Sequence, residues 1–357
     1  MGDAEDEIRK RMPLETVETE KLRSLLRQFQ GRKILVVGDL IVSRFVEVAA
    51  RKLAREAPVP AGDFVGENLL PGGAANVARE LASLGAAVNV AGLVGADEDG
   101  NWLKTVLGRA GIGFTGVMTD PSRPTSLRTW IMVNGFHMLR IDRDDRRDAP
   151  PNITSKLVAA ALPMVGEVDC IVISDYDRGA VTSSLISGVV DEAYSKGKIV
   201  VGQPKMHHYM DFSGVTYVKS NLEEASRATG MSMVNETSLR NMGVNLLSRL
   251  DCKALLVTMG DQGLTLFDRE NVTKFPPLGG KKNMFSKVGV RDAMTGVFAM
   301  AVASGGNAYQ AAVLSNIAGE VRSDLQRNAS LSVHDLEAPT SAIGDFVRRI
   351  VQAPVRR

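Results

Sequence analysis

A chain of 357 residues has room for one large α/β domain or two small ones. Its 44% apolar and 24% charged content is that of a globular protein, and a formal net charge of +2 excludes a bulk electrostatic pull toward nucleic acid or a membrane surface. Two cysteines without metal-ligand spacing, a charged start with no apolar signal core, a Met-Gly start lacking Ser or Thr at the sixth position, and no run of membrane-spanning length lead to the expectation of a cytoplasmic protein.

Leu22, Leu25, Leu26 and Phe29 fall at helical spacing, which predicts an amphipathic lead-in helix within residues 1–31, ended by Gly31. Residues 33–39 read as a buried strand ending in a Gly-Asp turn. Residues 44–70 alternate like strands, broken by Pro58, Pro60 and Gly62, and predict a small β-lid that residues 124–142 rejoin as two more strands. Helices are predicted over 72–84 and 101–110, with a strand over 88–94 between them. From residue 153 onward the two element types alternate. Helices are expected over 153–162, 183–195, 222–229, 239–249, 292–304 and 308–321, and strands over 170–174, 198–202, 216–219, 254–258 and 264–268. Such alternation implies a mainly parallel sheet covered on both faces, with ligands bound beyond the carboxyl ends of its strands. The expected organisation is a helical extension (1–31), one domain (32–335) with lid segments at about 44–70 and 124–142, and a short C-terminal helix with a basic tail (336–357).

Residues suited to chemistry gather at the predicted strand ends. A carboxylate at Asp39 can accept from two adjacent hydroxyls, or simply form a turn. Gly72 and Gly73 let a backbone approach a ligand closely, and Asn76 can both donate and accept, although a glycine-led helix start capped by Asn76 fits as well. Asn221 with Glu223 and Glu224 suits an N-cap and an acidic first turn. Thr258, Gly260 and Gly263 mark a strand–turn–strand. Arg128 and Arg140 lie in the returning lid strands, on a face that would meet either a phosphate or solvent. His137, His207, His208 and His334 show no catalytic or metal pattern and are expected at the surface, while Cys170 and Cys252 are expected as buried thiols.

The order of motifs resembles the ribokinase-like (PfkB) carbohydrate kinases and, within them, the heptose 7-phosphate kinases. The residues that carry the resemblance are VVGD at 36–39, REAPVP at 55–60, PGGAANVA at 71–78, GLVGADEDG at 92–100, SDYDRG at 174–179, NLEEA at 221–225 and VTMGDQG at 257–263. The resemblance implies a three-layer α/β sandwich with a mainly parallel sheet and a β-lid. It also implies ATP- and Mg²⁺-dependent transfer of a γ-phosphate to a hydroxyl of a sugar or sugar phosphate. Asp292 would then be the general base, at an anion-binding turn formed by Gly289, Arg291 and the start of a helix. Asp39, Gly72, Gly73, Asn76, Arg128 and Asp175 would hold the sugar. Asn221, Glu224, Thr258, Gly260, Gly263 and Asn316 would border the nucleotide, with Glu224 ordering Mg²⁺ through water. The resemblance further implies a homodimer formed through the lid. It implies a separate nucleotidyltransferase for the heptose pathway, because the His-x-Gly-His signature of that activity is absent here.

The pattern breaks where chemistry is expected. Residues 289–292 read Gly-Val-Arg-Asp, so Val290 and Arg291 replace Ala and Gly of the family's Gly-Ala-Gly-Asp. Ser43 replaces a second carboxylate after the first strand, and Gln203 replaces the Asp of Asp-Pro-Lys. Lys219 and Ser220 replace Thr-Pro before Asn221, Arg178 replaces a lysine, and residues 328–330 replace a Gly-Thr. Losing one preorganised oxyanion donor typically costs about 2.7–4 kcal/mol. Three readings stay open. One is a working kinase, with Arg291 turned to solvent or serving as a cis arginine finger. The second is a catalytically impaired kinase-fold protein that binds a sugar phosphate or nucleotide as a regulator or partner subunit. The third is an active kinase with a shifted substrate, which Ser43 and Gln203 also fit.

Overall fold

The computed structural model describes residues 14–232, 235–279 and 288–355. The charged start at 1–13 and the last two basic residues, Arg356 and Arg357, lie outside them. In chain order, helix α1 (Leu14–Arg27) leads into β1 (Lys33–Leu53), β2 (Pro60–Gly73), α2 (Ala74–Ser83), β3 (Ala87–Val94), α3 (Glu98–Arg109), β4 (Gly113–Thr119), β5 (Ser126–Val133) and β6 (Phe136–Arg143). There follow α4 (Pro151–Val165), β7 (Cys170–Ser174), α5 (Ser183–Ser195), β8 (Ile199–Gln203), β9 (Tyr217–Asn221), α6 (Leu222–Thr229), α7 (Glu236–Leu250) and β10 (Ala254–Thr258). The chain closes with β11 (Leu264–Asp268), β12 (Asn271–Phe275), α8 (Val290–Ala303), α9 (Ala308–Asp324), α10 (Val333–Ser341), α11 (Gly344–Arg348) and β13 (Val351–Pro354).

The first strand explains both layers of the molecule. Ile34, Leu35, Val36 and Val37 are all buried, because both faces of this stretch are covered. There β1 pairs in parallel with β3 and β7. The same strand continues outward into the lid, where it pairs antiparallel with β2 and parallel with β5, which carries β6. Sheet and lid, read from the sequence as separate pieces, therefore share one backbone.

The central order is β13-β12-β11-β10-β9-β8-β7-β1-β3-β4. Strands β4 to β10 along this path are parallel, and β11, β12 and β13 add antiparallel. One apolar cluster, with residues from α1, α2, α8 and α9, covers one face. A second, with residues from α4, α5 and α7, covers the other. The lead-in helix packs Leu22 and Leu26 into the first cluster, and Phe29 follows them just past its end. The tail differs from expectation. After the short helix α11, residues Val351–Pro354 form a strand against β12, with Pro354 at its end on the sheet edge, where a missing N–H is tolerated.

Candidate functional site

A cleft of about 840 Å³ opens between the lid and the carboxyl ends of the central strands. Gly72, Gly73, Asn76, Arg128, Asn221, Glu224, Gly289, Arg291 and Asp292 all line it, although they come from distant parts of the chain. Gly289 caps α8 at φ +82°, a left-handed backbone that favours glycine, and a Cβ there would stand 3.0 Å from Arg322 Nη2. Behind this turn Arg322 is held by the buried carboxylate of Glu80, with Nε 3.3 Å from Oε1.

Asp292 lies in the first turn of α8, only 8% exposed. Its Oδ2 accepts from Asn76 Nδ2 at 2.6 Å, and its Oδ1 accepts from the Tyr176 hydroxyl at 2.5 Å. Burial, then the Asp292 charge, pushes the Tyr176 phenol well above its ordinary value, so it stays a donor. Tyr176 was not singled out from the sequence. It sits between Asp175 and Arg178 in a motif that was, and its role follows from a contact 116 positions away.

Three of the departures from the family pattern, Arg291, Gln203 and Lys219, meet in one place. Arg291 donates Nη1 to Glu224 Oε1 at 2.7 Å and Nη2 to Oε2 at 3.1 Å, a two-pronged fork. With its amide oxygen toward Arg291, Gln203 accepts from Nε at 2.6 Å and Nη2 at 3.3 Å, while its amide nitrogen donates to Thr295 Oγ1 at 2.8 Å. Lys219 Nζ donates to the Arg291 carbonyl at 3.2 Å, and Lys205 Nζ donates to Glu224 Oε1. An aspartate at 203 would place a second carboxylate beside the guanidinium, which Glu224 already neutralises. The neutral amide instead accepts its N–H. Burial, then Arg291, lowers Lys219 to about 7. Burial would raise Glu224, but Arg291 and Lys205 hold it below its ordinary value.

The lid side of the cleft is cationic. Arg128, Arg140 and Arg178 reach it, each backed by a carboxylate: Asp142 is 3.3 Å from Arg128 Nε and 3.0 Å from Arg140 Nη2, and Asp144 is 2.9 Å from Arg178 Nε. Arg327 lies over the Phe45 ring at 5.0 Å. These guanidinium groups, fixed by carboxylates and aromatic faces, suit a phosphate group.

Several expected ligands stand elsewhere. The Asp39 carboxylate is buried and accepts the backbone N–H groups of Tyr176, Arg178 and Ala180 at 2.8, 3.1 and 2.9 Å. Asp175 accepts those of Asp177 and Lys205 at 2.8 and 3.0 Å. Neither lines the cleft. Their lone pairs are used to shape the loops that carry Tyr176 and Lys205, away from the direct sugar contact expected of them. Thr258 Oγ1 donates to the Ser220 carbonyl at 3.3 Å, and Asn316 Nδ2 to the Pro276 carbonyl at 2.9 Å. With the turn at Gly260 and Gly263 they lie outside this cleft. Of the four histidines expected at the surface, His208 is corrected, since it is buried; His207 and His334 are exposed, and His137, half-buried, lines the cleft edge-on to Trp130, with ring centroids 4.9 Å apart.

A family model described as pfkB family carbohydrate kinase matches residues 32–322. A bifunctional protein HldE from Helicobacter hepaticus is 34% identical over 289 residues, covering 81% of this chain and 60% of that protein. Its namesake from Caulobacter vibrioides is 34% identical over 304 residues, covering 84% and 62%. The chain thus spans about three fifths of the length of these curated relatives. Phosphofructokinase-2 from Escherichia coli, solved in complex with potassium, superposes with a TM-score of 0.73 at 17% identity, over 88% of this chain and 99% of that one. At that identity the likeness shows the fold, a ribokinase-like α/β sandwich.

Proposed function

The chain belongs to the pfkB family of carbohydrate kinases, and from its cleft we propose that it binds a phosphorylated sugar beneath the lid while Arg291 holds phosphoryl transfer off. The observation that carries this reading is the Arg291 fork on Glu224. Glu224 is the carboxylate that the family resemblance assigns to ordering Mg²⁺, and both its oxygens are taken by cations. A hard divalent ion needs free oxygen ligands and gains little beside a fixed guanidinium and an ammonium. The donor set at Glu224 therefore does not fit Mg²⁺ in this arrangement. What the residues do is bind and orient. The arginines of the lid side meet the phosphate, Gly72, Gly73 and Asn76 let the sugar approach closely, and Asp292 accepts from a sugar hydroxyl in place of Tyr176.

One observation favours a second reading. Asp292 is retained at the start of α8, beside Gly289, where a carboxylate base and the positive end of a helix would serve transfer to a hydroxyl. On that reading the chain is an ATP-dependent sugar kinase, most like heptose 7-phosphate kinase, and Arg291 leaves Glu224 when Mg·ATP arrives.

The test is calorimetric titration with heptose 7-phosphate and a panel of other sugar phosphates, followed by ADP release in Mg·ATP. We expect binding of a sugar phosphate without sugar-dependent ADP release, and a gain of ADP release in Arg291→Gly. Sugar-dependent turnover by the unaltered chain, abolished in Asp292→Asn, would establish the kinase reading instead.

A further inference from the structure

A second cluster of polar side chains lies outside the cleft, where the loop after β8 meets the segment before α4. Its centre is His208, 5% exposed, with His207 and Asp148 exposed beside it. His208 Nδ1 lies 2.9 Å from Asp211 Oδ2, which also accepts from the Ser183 hydroxyl at 2.6 Å. Held by Ser183 at the start of α5, Asp211 accepts from Nδ1–H in the neutral tautomer that leaves the lone pair on Nε2. That nitrogen stands 3.1 Å from Asp148 Oδ1. A ring nitrogen of His207 completes a set whose ligand atoms all lie within 4.8 Å of one another.

Three electron-pair donors thus lie within 4.8 Å of one another, and a His208 ring protonated at Nδ1 alone brings no hydrogen between Nε2 and Asp148. Positive charge between them, either a second proton or a metal ion, stabilises such a group.

We propose that Asp148, His207 and His208 bind one divalent transition-metal ion of the Zn²⁺ class, leaving a further position open to water. Two imidazoles and one carboxylate suit Zn²⁺, Co²⁺ or Ni²⁺ and disfavour Mg²⁺, which wants all-oxygen ligands. Ligands about 2.0–2.1 Å from a tetrahedral ion stand roughly 3.4 Å apart. To reach that spacing the two exposed side chains would turn toward the buried His208 ring, the fixed member. The carboxylate of Asp211 behind His208 is the outer support such a ligand ordinarily has.

The location gives the ion a role. Lys205 and Met206, just before His207, line the cleft, and Lys205 holds Glu224. Arg146, two residues before Asp148, lines it as well. A bound ion pins these two loops to each other and so braces one wall of the anion site. This inference stands apart from the phosphoryl-transfer question, since none of its ligands touches Asp292 or Arg291.

The experiment is calorimetric titration of the chelator-treated full chain with ZnCl₂ at neutral pH, in the presence and absence of MgCl₂. One equivalent of Zn²⁺ should bind with proton release, and Mg²⁺ should leave the isotherm unchanged. His207→Ala and Asp148→Asn alter exposed side chains and should each weaken Zn²⁺ binding about tenfold or more. His334→Ala should not. The proposal is overturned if no Zn²⁺ binds, if Mg²⁺ competes equally, or if affinity is unchanged in both ligand variants.

Discussion

Asp39 and Asp175 show at the residue scale why a carboxylate at a strand end need not face the ligand. Both are buried, and each accepts backbone N–H groups from loops that line the cleft. Burial, then the neighbouring Asp39 charge, raises Asp175 from 3.8 to about 7, and burial raises Asp39 as well. A folded-state value above the unfolded one means that protonation favours the native state. The pair's contribution is full below 3.8 and is lost as pH rises through about 7. Asp175→Asn should therefore flatten the loss of stability across that window, read as urea midpoints at mildly acidic and mildly alkaline pH. An unchanged slope would show that the pair is not the source. Of the site residues, Asn76, Glu224, Gly289 and Asp292 were legible in the sequence because their motifs are short and ordered. Tyr176 and the meeting of Gln203, Lys219 and Arg291 were not, since side chains from β8, β9 and α8 touch only after the sheet forms.

At the element scale, the packing of α7 on the sheet rests on the absence of one methyl group. A Cβ at Gly243 would lie 2.2 Å from the ring of Phe267 on β11, which is itself fully buried. Alanine favours a helix over glycine by roughly 1 kcal/mol, but overpacking a closed core costs about 1–3 kcal/mol. We expect Gly243→Ala to destabilise the protein by up to about 2 kcal/mol, seen as a lower denaturant midpoint at an unchanged m-value. A gain in stability would mean that helix propensity prevails and the ring moves aside. Helix α1 was readable because its apolar residues recur at the helical period. Strand β13 was not, because a four-residue segment carries no period and its partner β12 lies far back in the chain.

For the whole molecule, the lid both borders the cleft and exposes apolar side chains. Side chains alternate across a strand, and Arg140 of β6 lines the cleft, so Leu139 and Ile141 face away from it. They are exposed, as are Phe64 and Val65 on β2, at 67% and 66%. Exposed apolar side chains gathered on one small sheet call for a partner. We expect two copies to pair through the lids, so light scattering should give a dimer, and Leu139→Glu a monomer. A monomeric unaltered chain would end that expectation. The alternation of elements and the glycine-led motifs, both local properties of the chain, determined the α/β sandwich, its lid and the neighbourhood of the site. Only the tertiary structure decided that Arg291 turns onto Glu224, that Asp39 and Asp175 hold loops, and that His207, His208 and Asp148 converge. The physical reason is that charge pairing and hydrogen-bond saturation depend on distances of a few ångströms between residues that sequence spacing leaves far apart.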